Sequence, residues 1–95
     1  MKYILKEIDN IANYTKTFND EALKKYALTI ASLYLKTNEP IDPITLSRAA
    51  FFIALKRYNY NLTEKIEKII DCNGIENRWW IYLAPIIEKI AKNKF

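Results

Sequence analysis

The sequence contains no histidine, valine or glutamine, and only one cysteine and one glycine. Without histidine, serine-protease-type triads, Cys-His pairs, imidazole acid–base catalysis and most zinc ligand sets are excluded. One glycine and three prolines are too few for a sandwich or barrel, whose hairpins need turn residues every ~8–12 positions. A glycine-rich phosphate-binding loop is impossible as well. These absences favour an all-α protein that is not an enzyme and needs no cofactor or small-molecule substrate.

Length and composition indicate one globular domain. The chain has 95 residues, 51% of them hydrophobic and 27% charged, which excludes a disordered tail and leaves no room for two cores. The lone Cys72 cannot form an internal disulfide, and residues 1–7 lack the apolar core of a signal peptide. The longest apolar run, residues 49–55, is far below the ~20 residues of a spanning helix. We therefore expect a cytoplasmic protein without a membrane partner.

The residue usage also bears on the source of the chain. A composition without glutamine and low in cysteine and methionine, with many charges, is typical of heat-adapted proteins. Nine asparagines argue the other way, and an AT-rich genome would produce the same bias towards Lys, Ile, Asn and Tyr. The composition favours a thermophilic source, archaeal or viral.

Helical periodicity predicts a single domain of about five helices, at residues 2–15, 20–37, 43–58, 62–71 and 75–93. Ile4, Ile8, Ile11 and Ala12 form the apolar stripe of the first helix. Capping residues are expected at Asn19 or Asp20, at Asp42 before Pro43, and at Asn61. The third helix is apolar on nearly every side, which predicts that it lies at the centre of the domain.

The final helix carries two adjacent tryptophans and a proline. Gly74 suits the left-handed cap of the preceding helix, and Pro85 predicts a kink near residues 81–85 or a shifted first turn. The stripe expected to be buried comprises Ile75, Trp79, Leu83, Ile86 and Ile90. On that register Trp79 belongs to the core, and Trp80 is partly exposed and available to anchor a partner. The alternative is that both tryptophans are core residues.

This layout resembles the cyclin box, and is most similar to the second cyclin repeat of the transcription factor B family of archaea and eukaryotes. The similar stretch runs from Leu23 to Ile90. It consists of a polar loop at 38–42, Pro43, the Ala-rich segment 49–54, a short helix with Thr63, Ile66 and Ile70, and the turn Gly74-Ile75 before residues 76–80.

The resemblance implies a C-terminal helix-turn-helix that contacts promoter DNA through a basic residue of the last helix. The equivalent position here is about Ile81, which cannot make that contact, and Pro85 is atypical for the family. No zinc ribbon and no second repeat are present. The resemblance therefore implies a lone cyclin-like module, and such modules also serve as protein adaptors.

The excess positive charge lies in the second half of the chain. Residues 1–42 carry six Lys and six acids, whereas residues 43–95 carry nine basic and five acidic residues, a net charge of +4. Arg57, Lys65, Lys68 and Arg78 are the candidate nucleic-acid-binding residues, because basic side chains neutralise phosphates regardless of sequence. Twelve Lys against three Arg favours such non-specific contacts over base reading. The alternative is an ordinary solvated surface.

Two further features have both a functional and a structural interpretation. Tyr58 and Tyr60 lie beside Arg57, where they could stack on bases or fit a protein groove. With Trp80 they are the candidate partner-binding residues. They could equally pack over the ends of helices three and four. The carboxylates of helix four, Glu64, Glu67 and Asp71, alternate with lysines, which favours a solvated salt-bridge face and no metal site.

Two functions remain open. The first is a small basic nucleic-acid-associated accessory protein of the DNA replication or transcription machinery, which contacts phosphates through its C-terminal half. The second is a protein-binding adaptor or accessory subunit of a polymerase complex that has no DNA affinity of its own.

Overall fold

The chain is all-helical in the parts that the structure, a computed structural model, describes: residues 2–37, 41–71 and 79–94. The helices are α1 (Lys2–Tyr14), α2 (Glu21–Thr37), α3 (Pro43–Arg57), α4 (Leu62–Asp71) and α5 (Trp79–Lys94). The radius of gyration of 11.8 Å is close to the ~13 Å of a compact 100-residue domain. The prediction of one all-α domain is confirmed. None of the described helices has the length and apolar character needed to cross a membrane.

Three helices begin at the capping residues that the sequence indicates. Asp20, Asp42 and Asn61 each accept a hydrogen bond from a backbone N–H three residues on. The donors are Leu23 at 3.0 Å, Thr45 at 3.0 Å and Glu64 at 3.3 Å. Each cap satisfies one of the N–H groups that a helix start leaves without an intrahelical acceptor. The predicted cap at Gly74 and the predicted helical residues 75–78 lie outside the described residues.

The first two helices form an antiparallel pair. Lys24 of α2 forms an ion pair with Asp9 of α1, with 3.8 Å between Nζ and Oδ1. Leu28 of α2 lies near Leu5 of α1 in the shallow cleft between these two helices. The predicted stripe of α1 is confirmed, because Ile4, Ile8, Ile11 and Ala12 are all buried. In α2, Leu23, Ala27, Ile30 and Ala31 face the same core.

Helix α3 is enclosed by the other helices. It packs against all four of them, whereas the described residues of α4 contact α1 and α3, and those of α5 contact α2 and α3. Every residue of α3 from Thr45 to Phe51 is buried, and so are Ile53, Ala54 and Leu55. The described parts of α4 and α5 make no contact with each other. The helix-turn-helix prediction therefore gains no support from them.

Helices α3 and α5 run in the same direction. The ring of Phe52 contacts that of Trp80 at the start of α5, with 5.4 Å between centroids. Lys56 lies one turn after Phe52 in α3, and Glu88 lies two turns after Trp80 in α5. These two side chains form an ion pair, with 3.1 Å between Nζ and Oε2. Parallel neighbours need a crossover between them, and the connection through α4 supplies it.

The buried stripe of α5 is one residue out of register with the prediction. Trp80, Ala84, Ile87 and Ala91 are buried, whereas Ile86 is 56% exposed. The observed register sets one large ring and two small alanines against α3, and it leaves Pro85 exposed. Small residues let two helices approach closely, so this face can pack against α3 more tightly than the predicted one.

Candidate nucleic-acid interface

A groove of about 470 Å³ lies where α2, α3 and α5 meet. Its position follows from the packing: α3 and α5 run side by side, and the first half of α2 crosses their C-terminal halves. The residues that line it are Tyr26 from α2, Ile53, Lys56 and Arg57 from α3, and Glu88, Ala91 and Lys92 from α5.

The groove carries an excess of positive charge. Among the described residues that line it, four side chains are charged, and three of these are cations and one is a carboxylate. Lys56 donates a hydrogen bond from Nζ to Oε2 of Glu88 at 3.1 Å, so these two charges largely offset each other. Arg57 and Lys92 are exposed and form no ion pair with any side chain in the described part of the chain. Two cations, from two different helices, therefore remain to attract an anion.

Aromatic rings lie beside these cations. Tyr26 lines the groove together with the apolar Ile53 and Ala91. The ring of Tyr58 meets that of Tyr26 edge-to-face, with 5.9 Å between centroids and 84° between the planes, and Tyr58 is 41% exposed. The groove thus combines cations with the ring of Tyr26, and the partly exposed Tyr58 lies next to it through its contact with Tyr26.

The end of α3 fixes Arg57 and Tyr58 in place. The backbone N–H of Tyr60 bonds to the carbonyl of Leu55 at 3.0 Å, and that of Asn59 to the carbonyl of Lys56 at 3.2 Å. Asn59 itself adopts a left-handed conformation with φ 61°, which asparagine tolerates better than most residues. This is the Schellman pattern of helix termination, and it holds the Arg57–Tyr58 pair at the groove.

Tyr60, predicted to bind a partner, has a structural contact instead. Its hydroxyl donates to Oδ2 of Asp20 at 2.5 Å, which ties the α3–α4 connection to the cap of α2. The hydrogen bonds from Tyr60 and from the backbone N–H of Leu23 hold the pKa of Asp20 below its ordinary value. The same bond to the Asp20 carboxylate raises the pKa of Tyr60. Of the two interpretations offered for Tyr60, the structural one agrees with these contacts.

Those of the four predicted phosphate-binding residues that the structure describes are not brought together. Arg57 lies in the groove, but none of the described side chains of α4 does. Lys65 is half-buried and donates from Nζ to the backbone carbonyl of Thr15 at 2.6 Å, where it joins α4 to the end of α1. Lys68 is exposed on α4, and Arg78 lies outside the described residues. The expected surface across α4 and α5 requires contact between the two helices, and their described parts make none.

The prediction of a partly exposed, partner-binding Trp80 is wrong. The side chain is fully buried and packs edge-on against Phe52, at an interplanar angle of 61°. The cause is the one-residue shift in the register of α5. The side chain of its neighbour Trp79 lies outside the described residues.

One basic residue of the second half is part of the core. Arg48 is 1% exposed in the middle of α3, so its charge does not contribute to a phosphate-binding face. The sequence did carry a signal for this, since Arg48 directly precedes the apolar run 49–55 of a helix predicted to be central. Tyr26 and Lys92, in contrast, were missed as groove residues, and no local pattern marks them because they join Arg57 only in the folded chain.

No family model, no curated protein and no solved structure matches this chain.

Proposed function

We propose that this chain is a small non-enzymatic nucleic-acid-binding protein that contacts phosphates through the groove between α2, α3 and α5. The observation that carries the proposal is the pair Arg57 and Lys92, exposed in one groove in which Glu88, the one carboxylate among the described lining residues, is engaged by Lys56. Phosphates are attracted by such cations regardless of base sequence. The neighbouring rings of Tyr26 and Tyr58 favour a nucleic acid over a simple anion, because bases stack on aromatic side chains.

An accessory role in replication or transcription is the wider part of this proposal. It rests on the resemblance to the cyclin box, and the arrangement of the helices around a buried α3 is the feature that supports it. The helix-turn-helix expected from that resemblance is not required, since the groove is built from α2, α3 and α5 and not from α4.

The experiment is a salt titration of oligonucleotide binding by fluorescence anisotropy. The double variant Arg57→Gln with Lys92→Gln should bind about 10-fold more weakly or worse at low salt. The slope of log affinity against log salt should fall by about two, one for each lost phosphate contact. The matched control, Lys2→Gln with Lys6→Gln, removes two exposed charges from α1. If both double variants weaken binding equally, overall charge and not the groove attracts the nucleic acid.

A protein-binding adaptor is the second candidate, favoured by an apolar strip on α5. Tyr82 is 72% exposed and Ile86, one turn on, is 56% exposed, and Pro85 beside them is exposed too. Exposed apolar side chains that cluster are typical of protein interaction sites. The double variant Tyr82→Ser with Ile86→Ser should abolish co-purification with a partner and leave oligonucleotide binding unchanged. Co-purification that survives both substitutions would exclude this strip as the partner-binding site.

A further inference from the structure

We propose that the groove selects single-stranded over duplex nucleic acid, with one unpaired base on Tyr58 and the adjoining phosphates on Arg57 and Lys92. This inference rests on the proposed function and adds the class of nucleic acid that the same groove accepts.

The aromatic pair offers a surface for an unpaired base. In the edge-to-face contact, at 84°, Tyr26 can cover at most one face of the Tyr58 ring. Tyr58 is 41% exposed and lies next to the groove through its contact with Tyr26, so its side chain is accessible to a ligand there. A base can stack there only if it leaves its own duplex partner, and base–aromatic stacking is tolerant of sequence.

The charges of the groove come from two different helices, which also favours a single strand. Arg57 comes from α3 and Lys92 from α5, and the apolar side chains of Ile53 and Ala91 lie between these helices. A phosphate backbone that meets both cations must pass along a concave slot of about 470 Å³. That volume is typical of pockets for small molecules. A nucleotide of a flexible strand suits such a slot, whereas a duplex presents a convex backbone with its bases paired inside.

The end of α3 supports the same assignment. The hydrogen bonds of the Schellman pattern hold the backbone of Asn59 and Tyr60, directly after Tyr58, against the last turn of α3, and the Tyr60–Asp20 bond fixes the side chain of Tyr60. The Tyr58 ring is therefore presented by an ordered turn next to Arg57, and a bound base would need little rearrangement.

The test compares a labelled oligothymidine 12-mer with the duplex of the same length, by anisotropy at low salt. The single strand should bind about 10-fold more tightly. Tyr58→Leu, which keeps an apolar side chain without an aromatic face, should lose about 10-fold on the single strand and little on the duplex. Tyr58→Phe should retain parental binding, and Tyr82→Leu, an exposed tyrosine of α5 outside the groove, is the matched control.

The outcomes separate the two proposals. Equal binding of both forms, weakened equally by the Arg57 and Lys92 substitutions, leaves the proposed function standing and overturns the single-strand inference. Equal affinities of Tyr58→Leu and Tyr58→Phe would overturn it as well. If neither form binds, the proposed function itself fails. If polyglutamate of equal charge displaces the oligothymidine as effectively as unlabelled oligothymidine does, the groove accepts acidic protein segments and both proposals fall.

Discussion

Ile86 and Ile87 provide a direct test of the register of α5. They are adjacent, chemically identical and within one helix, but Ile86 is 56% exposed and Ile87 only 1%. Changing each to Ala alters helix propensity by the same small amount, ~0.4 kcal/mol in favour of Ala. The difference between the two variants therefore reports burial alone.

The magnitudes follow from the exposed fractions. Ile→Ala removes three carbon groups, worth about 2.4 kcal/mol when fully buried, and at Ile87 the cavity left behind raises the loss to ~3–4 kcal/mol. At Ile86, a little under half of the side chain is buried, which corresponds to ~1 kcal/mol. After the gain in helix propensity, the expected loss is ~0.6 kcal/mol.

Urea unfolding followed by circular dichroism measures both variants. With a slope of ~1.5 kcal/mol per molar urea for a small domain, the midpoint of Ile87→Ala should fall by ~2 M and that of Ile86→Ala by less than ~0.5 M. The predicted stripe through Leu83, Ile86 and Ile90 requires the opposite order. If Ile86→Ala loses as much stability as Ile87→Ala, the buried face described for α5 is wrong.

Two further predictions concern hydrogen bonds that tie the segments between helices to the rest of the domain. Tyr60→Phe removes the hydroxyl that donates to Asp20, and the free energy of unfolding at pH 7 should fall by ~1 kcal/mol, as measured by urea titration. Lys65→Met removes the donor to the Thr15 carbonyl and should lower the free energy of unfolding by ~1 kcal/mol, whereas Lys68→Met, on the exposed side of the same helix, should change it by less than ~0.5 kcal/mol.

The pH dependence of the first contact has a defined sign. The pKa of Asp20 is lowered, so its contribution is present above the ordinary value of 3.8 and is lost as pH falls through the lower value in the folded protein. The pKa of Tyr60 is raised, so that contribution is present below the ordinary value of 10.0 and is lost as pH rises through the folded value. The difference between the parent and Tyr60→Phe should therefore shrink in strong acid. The same difference at pH 2 and pH 7 would contradict the assignment, and so would equal losses for the Lys65 and Lys68 variants.

The features that the sequence predicts well are those set by neighbouring residues. The caps at Asp20, Asp42 and Asn61 depend on a side chain and an N–H three residues away, so the local sequence specifies them. The stripe of α1 is equally clear, because polar residues occupy most of the other positions and leave one mainly apolar face, Ile4 to Ala12, for burial.

The register of α5 could not be read in the same way. Two stripes one residue apart are both apolar, one through Trp79 and Leu83, the other through Trp80 and Ala84. Both stripes fit helical periodicity about equally well, so the choice between them depends on the shape of the α3 surface against which α5 packs. The Ala residues of the second stripe were the available clue, because they permit the closer approach.

The groove was the least predictable feature, since it exists only in three dimensions. The sequence identified Arg57 and Tyr58 from charge and aromatic content, but not Tyr26 or Lys92, which lie far away in the chain. It also gathered Lys65 into the same surface, because charge counting does not reveal that a lysine already donates to a backbone carbonyl.

The parallel arrangement of α3 and α5 has a consequence for when the groove comes into being. During synthesis α1, α2 and α3 emerge first, and their antiparallel contacts can form early because they join segments close in sequence. Glu88, Ala91 and Lys92 are translated last among the lining residues. A nascent chain that still lacks them has no groove and no binding site. Because a ligand in the completed groove touches α3 and α5 at once, it would also hold α5 in its docked position, so that binding and the last step of assembly reinforce each other.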